Sequence, residues 1–338
     1  MDFLKKKYDE ELNSEGAVEI VGYPFDRSRI LGELEPTTYD MAFADWLEQR
    51  RLRLLEKADE IISQFDNAPR FERLKRTYKA GGSIPFVGAG ISIQCGYPGW
   101  TKFLYQTCAE SHVRGDVLTE LLQKGEYELA AQLLHDDLGA ALFNENMESV
   151  FSSEKDLIGA IHYLPLLYPG SSVITTNYDR LIERAYKGFQ QGFDTIKYGR
   201  SLAECVRLMA AGSRMLLKLH GECDQAEDRV LLKREYDAAY ADGASVEIFF
   251  NRVLFGKSLL FVGCSLTVDR TIKSMIEVVS KYGATTLPRH YAILELKDDD
   301  DRVARKKSLA AANIFPIWYP ENDHEESIES ICLKLLED

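Results

Sequence analysis

Ile84-Pro-Phe-Val-Gly-Ala-Gly-Ile-Ser92 is a short β-rich apolar run that ends in two glycines flanking an alanine. A run apolar at every position suits a strand covered on both faces, as in a parallel sheet, rather than a strand with one wet face. Two glycines directly behind it let the backbone approach a diphosphate closely, with amides aimed at its oxygens, and Ser92 adds a hydroxyl. The third glycine of the G-x-G-x-x-G fingerprint is missing, so an ordinary Rossmann dehydrogenase is not supported. Taken alone, a Gly-x-Gly after a strand is also what a tight turn requires. Pro85 cannot donate to a ladder and is expected at a strand edge or start.

The same rhythm recurs downstream. Ser172-Val-Ile-Thr-Thr176, Met215-Leu-Leu-Lys-Leu219, Ser258-Leu-Leu-Phe-Val262, Tyr291-Ala-Ile-Leu294 and Phe315-Pro-Ile-Trp318 read as strands, and stretches such as 244–255 and 267–279 between them have helical periodicity. Strands alternating with helices give an α/β fold: a Rossmann-like parallel sheet with helices on both faces, expected over 81–338. The segment 100–170 contains no clear strand and several amphipathic stretches, so it is expected to be an inserted helical module. Residues 1–80 differ again. Ala17-Val-Glu-Ile-Val21 reads as a short strand or extended arm ending near Pro24, and 38–79 is rich in Leu, Glu, Arg and Lys at helical spacing. This region is expected to be a helical N-terminal extension suited to assembly. The acidic run 298–301 reads as a solvated loop.

The chain has 338 residues, 45% of them apolar, with seventeen Tyr and sixteen Phe, enough for a substantial core. A formal charge of -13 excludes a protein whose main task is neutralising phosphate backbones, so no direct nucleic-acid binding is expected. None of the six cysteines forms a C-x-x-C pair, and no metal site is expected. The opening Met-Asp-Phe-Leu-Lys-Lys-Lys-Tyr lacks a signal-peptide core. No apolar run approaches the roughly 20 residues of a membrane span. The expectation is a soluble, cytoplasmic protein with no membrane contact.

Four strand ends carry polar or glycine residues where ligands of open parallel sheets bind. They are Gly88-Ala-Gly-Ile-Ser92, Thr175-Thr-Asn-Tyr-Asp179, His220-Gly221 and Gly263-Cys-Ser-Leu266. Asn177 or Asp179 could serve only to cap the helix that follows. A lone histidine such as His220 is often structural, although here a glycine stands directly behind it.

In that order the four segments resemble the sirtuin (SIR2) family, and more closely the sirtuin-like domains of bacterial antiphage defence proteins. The resemblance covers roughly 80–320. It implies that Gly88, Ala89, Gly90 and Ser92 cradle the diphosphate of NAD, with Trp100 and Thr176 also lining the dinucleotide. It places Asn177 and Asp179 beside the nicotinamide ribose and makes His220 the catalytic histidine. Gly263 and Ser265 would form the adenosine-ribose loop, with Asp269 near it. Two departures bear on activity. The four-cysteine zinc module of the deacylases is absent, and Tyr97-Pro-Gly-Trp100 stands where the family carries Pro-Asp-Phe-Arg. Both argue against protein deacylation.

The activity implied is therefore an NAD+ glycohydrolase, with NAD as substrate and Asn177, His220 and Asp179 as the catalytic set. It would release ADP-ribose and nicotinamide as the effector of an antiphage system that depletes NAD. The alternatives are a non-catalytic NAD or ADP-ribose sensor and a ring-forming scaffold subunit. The resemblance also implies a homo-oligomer and offers a HerA-like ATPase or an Argonaute-like protein as partner.

Overall fold

The computed structural model describes every residue except 1, 200, 201, 203, 204, 242, 267–269 and 338. It divides into two compact units, Met1–Glu60 and Ile61–Asp338.

The first unit begins with the helix Asp2–Ser14 and a hairpin of β1 (Val18–Ile20) and β2 (Tyr23–Phe25), followed by the helix Arg27–Leu34 and most of the helix Pro36–Ser63. Ile20 faces Tyr23 across the two-residue turn, where Val21 and Gly22 both hold positive φ. This is the turn whose twist matches that of paired strands. Tyr8 packs against Phe43 at 5.4 Å and Trp46 at 5.6 Å, which gives the helices a small aromatic core. The unit ends at Glu60 rather than at 80. The helix Ala68–Lys79, expected to belong to the extension, buries Phe71 and Leu74 in the core of the second unit instead.

The second unit is built on seven parallel strands: β3 (Ser83–Val87), β4 (Val173–Thr175), β5 (Thr195–Tyr198), β6 (Met215–Lys218), β7 (Ser258–Val262), β8 (His290–Leu296) and β9 (Ile314–Pro320). Their order is β5-β6-β4-β3-β7-β8-β9. The runs are apolar throughout because alternate side chains enter two separate cores. Val87, Leu260, Val262, Tyr291 and Ile293 join one, and Ile84, Phe86, Leu259, Phe261, Ala292 and Leu294 the other. The first core is closed by the helices between Trp100 and Phe151 together with Leu181–Gly188 and His324–Leu336. The second is closed by Ser245–Gly256, Arg270–Tyr282 and Arg302–Ala311. Each fully buried Phe or Leu contributes about 1.5–3 kcal/mol over leaving it exposed, so burial on both faces dominates the stability of the sheet.

Two details differ from the sequence reading. β5 was not anticipated: it is an edge strand, and Ile196 is exposed on it, so the segment lacks a continuous apolar run. Pro85 lies inside a central, fully buried strand rather than at an edge. The Val87 carbonyl accepts from Thr176 N, so by the alternation of the strand the Pro85 nitrogen faces β4 too. The β3–β4 ladder begins only at Phe86↔Ile174, and the missing N–H removes no ladder bond.

Near the start of the second unit, buried Asn67 joins two distant parts of the chain. Its Nδ2 donates to Ile61 O and Trp318 O, each at 2.8 Å, and its Oδ1 accepts from Trp318 N at 2.9 Å.

Candidate functional site

The four polar strand ends come together because β6, β4, β3 and β7 are neighbours in the sheet. From β3 the chain runs to β4, on to the edge strand β5 and back to β6 between them, then crosses to β7 on the other side of β3. The reversal puts a topological switch point, the usual ligand crevice of such sheets, between β3 and β7.

At that point two loops meet backbone to backbone. Gly88 N donates to Val262 O at 2.9 Å and Gly90 N to Gly263 O at 2.7 Å. A Cβ on Gly88 would lie 2.6 Å from Gly263 O, and one on Gly90 2.8 Å from the same atom. Gly263 holds φ +69, and a Cβ there would meet Ile91 N at 2.7 Å. The three glycines are thus required by the seam between β3 and β7, and the amides of Gly88 and Gly90 are spent inside the protein. Their remaining contribution to a ligand is a surface without side chains, with Ala89 exposed between them.

Behind this loop lies a buried polar cluster. Ser92 Oγ donates to Asp179 Oδ2 at 2.6 Å, and Asn177 Nδ2 donates to Ser92 Oγ at 2.9 Å and to Gly88 O at 3.0 Å. Asp179 Oδ1 accepts from Leu181 N at 3.0 Å, so Asp179 also secures the start of the helix Leu181–Gly188. Thr175 Oγ1 accepts from Asn177 N at 3.0 Å and donates to Val87 O at 2.9 Å, which locks the β4 loop to β3. The contacts of Nδ2 fix the amide orientation and leave Asn177 Oδ1 buried without a hydrogen-bond partner. An orphaned buried acceptor costs about 1–3 kcal/mol. It is offset once a donor, such as a ribose hydroxyl, an amide N–H or a water, enters the crevice.

His220 follows β6 and is 8% exposed. Its ring lies 6.5 Å from that of Tyr178, the residue between Asn177 and Asp179. Its two nitrogens are held by tyrosines one helical turn apart: Nε2 shares a hydrogen bond with Tyr240 Oη at 2.9 Å, and Nδ1 with Tyr236 Oη at 3.2 Å. Burial pulls the imidazole down to about 3, so it is neutral at physiological pH. Gly221 behind it has φ +79, and a Cβ there would meet Asp228 O at 2.5 Å. That close approach lets Val230 N donate to His220 O at 2.9 Å and Tyr178 Oη to Val230 O at 2.7 Å. Neither tyrosine of helix Lys233–Ala239 and its C-cap was anticipated, although their i, i+4 spacing puts them on one helix face.

A second unanticipated group supports the cluster from below. Lys218, at the end of β6, is fully buried. Its Nζ donates to Asp179 O at 2.7 Å and to Glu183 Oε1 and Glu222 Oε1, each at 3.1 Å. Glu222 also accepts from Arg180 Nε at 3.2 Å and Tyr198 Oη at 3.0 Å. Burial alone would raise the Glu222 carboxyl, but Lys218, Arg180 and Tyr198 outweigh it and hold it below its ordinary range. Glu183 has fewer cations about it, and burial pushes its carboxyl up. A lysine inside the apolar run Met215-Leu-Leu-Lys-Leu219 was the available signal, since a charge is buried only when paired.

The remaining expected residues are placed as follows. Trp100 starts the helix Trp100–Cys108, with its ring edge-on to Tyr178 at 5.7 Å, beside the cluster. Thr176 is half-buried and donates its amide to Val87 O. Ser265 is exposed beyond β7. Asp269 lies outside the described residues. Among the described residues no group of His, Cys, Asp and Glu side chains could hold a metal ion, and no helix is long and apolar enough to cross a membrane.

Residues 171–317 match the model of the SIR2-like domain. The chain is 27% identical over 202 residues to the NAD(+) hydrolase ThsA of Cytobacillus dafuensis, covering 57% of this chain and 37% of that protein. It is 25% identical over 238 residues to ThsA of Bacillus cereus (strain MSX-D12), covering 68% of this chain and 48% of that protein. It is 26% identical over 234 residues to Defense-associated sirtuin 2 of Bacillus subtilis, covering 67% of this chain and 22% of that protein. The chain therefore spans less than half the length of each of these relatives.

Proposed function

With residues 171–317 carrying a SIR2-like domain as the premise, we propose that this chain hydrolyses NAD+ to ADP-ribose and nicotinamide. The observation that carries the reading is the buried Asn177, with Oδ1 unpartnered, one residue from Tyr178, whose ring neighbours a neutral buried His220. The names of the ThsA relatives support the reaction, and that of Defense-associated sirtuin 2 supports a place in defence, which this reading takes to be depletion of NAD against phage.

The chemistry asks little of a general acid, because nicotinamide leaves as a neutral ring from a cationic one. What has to be stabilised is an oxocarbenium-like ribose, as in glycoside hydrolysis. Asn177 Oδ1 accepts a hydrogen bond from a ribose hydroxyl or from the attacking water. The Asp179 carboxylate, oriented by Ser92 and Leu181 N, lends negative charge to the same region. Water adds to the anomeric carbon as the bond to nicotinamide breaks, and the proton it loses passes to His220 Nε2 as Tyr240 Oη gives up that nitrogen, and then to solvent. Water bonded to such an electron-poor carbon is strongly acidic, so a weakly basic, neutral imidazole is sufficient.

The test is incubation of wild-type protein and His220→Ala with NAD+, with products separated by chromatography. Nicotinamide and ADP-ribose should appear in equal amounts from the wild type, and the variant should be slower by about a hundredfold or more while still melting in one cooperative transition above the assay temperature. NAD+ bound and left intact by the wild type would overturn hydrolysis in favour of a sensor.

A further inference from the structure

The opposite, amino-terminal edge of the sheet carries a feature that the NAD reading does not use. A cavity of about 530 Å³ opens there, lined by Arg73, Arg76, Thr77, Ser258, Arg289 and Tyr291 together with Pro288. Ser258 and Tyr291 stand at the starts of β7 and β8, at the far end of the strands from Gly263. Arg73 and Arg76 come from the helix Ala68–Lys79, and Arg289 from the turn just before β8.

The three arginines line one cavity, and their surroundings differ from those of the ion-paired arginines of this chain. Arg29, Arg180, Arg214, Arg270 and Arg305 each lie within ion-pair distance of a carboxylate. Among the described residues no carboxylate lies that close to Arg73, Arg76 or Arg289. In a chain with a formal charge of -13, gathering three like charges without a counter-ion runs against the general pattern of the surface. Two of them are also oriented. The Arg289 guanidinium lies over the Phe315 ring, 4.5 Å from its centroid, and Arg76 Nε donates to Glu72 O at 3.3 Å. Ser258 Oγ donates to Arg289 O and so holds the turn that carries this arginine. Tyr291 also lines the cavity, and all three guanidinium groups act electrostatically on its hydroxyl.

We propose that this cavity is a binding site for a phosphate-bearing small molecule of nucleotide size, separate from the crevice at the carboxyl edge. Guanidinium groups match phosphate oxygens in pairs and stay charged at every relevant pH. The volume is within the roughly 300–1,000 Å³ usual for small-ligand sites. A long polyanion such as a nucleic acid is disfavoured, because it would extend past this confined patch over a surface of opposite preference.

The test uses the full chain and pyrophosphate as probe, followed by isothermal titration calorimetry at low and moderate salt. Wild type should bind pyrophosphate, more weakly as salt rises. Arg73→Ala and Arg289→Ala should each weaken binding by about tenfold or more, the loss of one charge-assisted contact. Both side chains are exposed, and unchanged melting curves would show the variants folded. Affinity unchanged in both variants would assign the pyrophosphate to another site, such as the NAD crevice, and overturn the proposal. So would absence of binding, or tighter and salt-sensitive binding of a duplex oligonucleotide that the same two variants abolish. His220→Ala should bind the probe at this site as the wild type does, so a failure of NAD hydrolysis leaves the outcome intact.

Discussion

Replacing Lys218 by Met tests whether the buried ionic group beneath Asp179 is structural. The variant keeps the length of the side chain and removes the ammonium, leaving Asp179 O, Glu183 Oε1 and Glu222 Oε1 without the donor now 2.7–3.1 Å away. Removing one partner of a buried ion pair costs about 3–5 kcal/mol. Glu222 retains Arg180 and Tyr198, so the lower end of that range applies. At about 2–4 °C per kcal/mol for a domain of this class, melting at pH 8 should fall by roughly 6–12 °C. The pH dependence gives the sharper check. In the variant, Glu183 and Glu222 are buried carboxyls short of cations, so their folded pKa values rise above the unfolded ones. Such groups favour folding below the unfolded pKa and disfavour it as pH rises through the folded one. The gap between wild type and variant should therefore narrow as pH is lowered from 8 towards 5. Melts followed by circular dichroism at several pH values measure it. A gap under a degree, or one that does not change with pH, would refute the assignment.

Gly90→Ala should lower stability by about 1–3 kcal/mol, because the new Cβ meets the Gly263 backbone, which cannot swing aside. Gly115→Ala, with nothing within 4 Å of the added carbon, is the control in the same urea titrations. Tyr240→Phe removes the hydroxyl that occupies His220 Nε2, so kcat/KM for NAD+ should rise by about fivefold, the worth of one net hydrogen bond. A tenfold fall in steady-state assays would instead give Tyr240 a part in the chemistry. Burial pulls His162 down to about 4 and His220 and His290 to about 3, from 6.5 when exposed. Below pH 6.5 the unfolded chain takes up protons that the folded one refuses, so stability falls with pH, by about 1.4 kcal/mol per histidine at pH 5.5. Urea midpoints that stay level between pH 7.5 and 5.5 would contradict the burial of these rings.

The strands of the sheet were legible because most are buried on both faces and so apolar without interruption. The ends of four of them were legible because a glycine or an amide breaks such a run abruptly. β5 was not, since an edge strand with one wet face has no such run. Lys218 was passed over inside an apolar segment, where a single charge barely alters the pattern. Tyr236 and Tyr240 follow His220 by 16 and 20 positions, across a loop whose path no periodicity shows, and only the folded arrangement brings them to its two nitrogens. Gly88 and Gly90 were found for a reason that differs from their observed use. Sequence shows that a position tolerates no side chain, but not whether a ligand or the next loop fills the space. Here the next loop does.

Asn67 has a consequence for how the chain can be divided. Its side chain makes three hydrogen bonds, two of them to the main chain of Trp318 on β9, although the two residues are 251 positions apart. Any shorter version of the protein that begins after residue 80 discards this fastening along with Phe71 and Leu74, and it exposes the outer strand of the sheet to misplacement. A cut near residue 60 spares all three. The resemblance begins near residue 80, but the smallest piece able to hold its shape starts earlier, at a residue with no part in the chemistry.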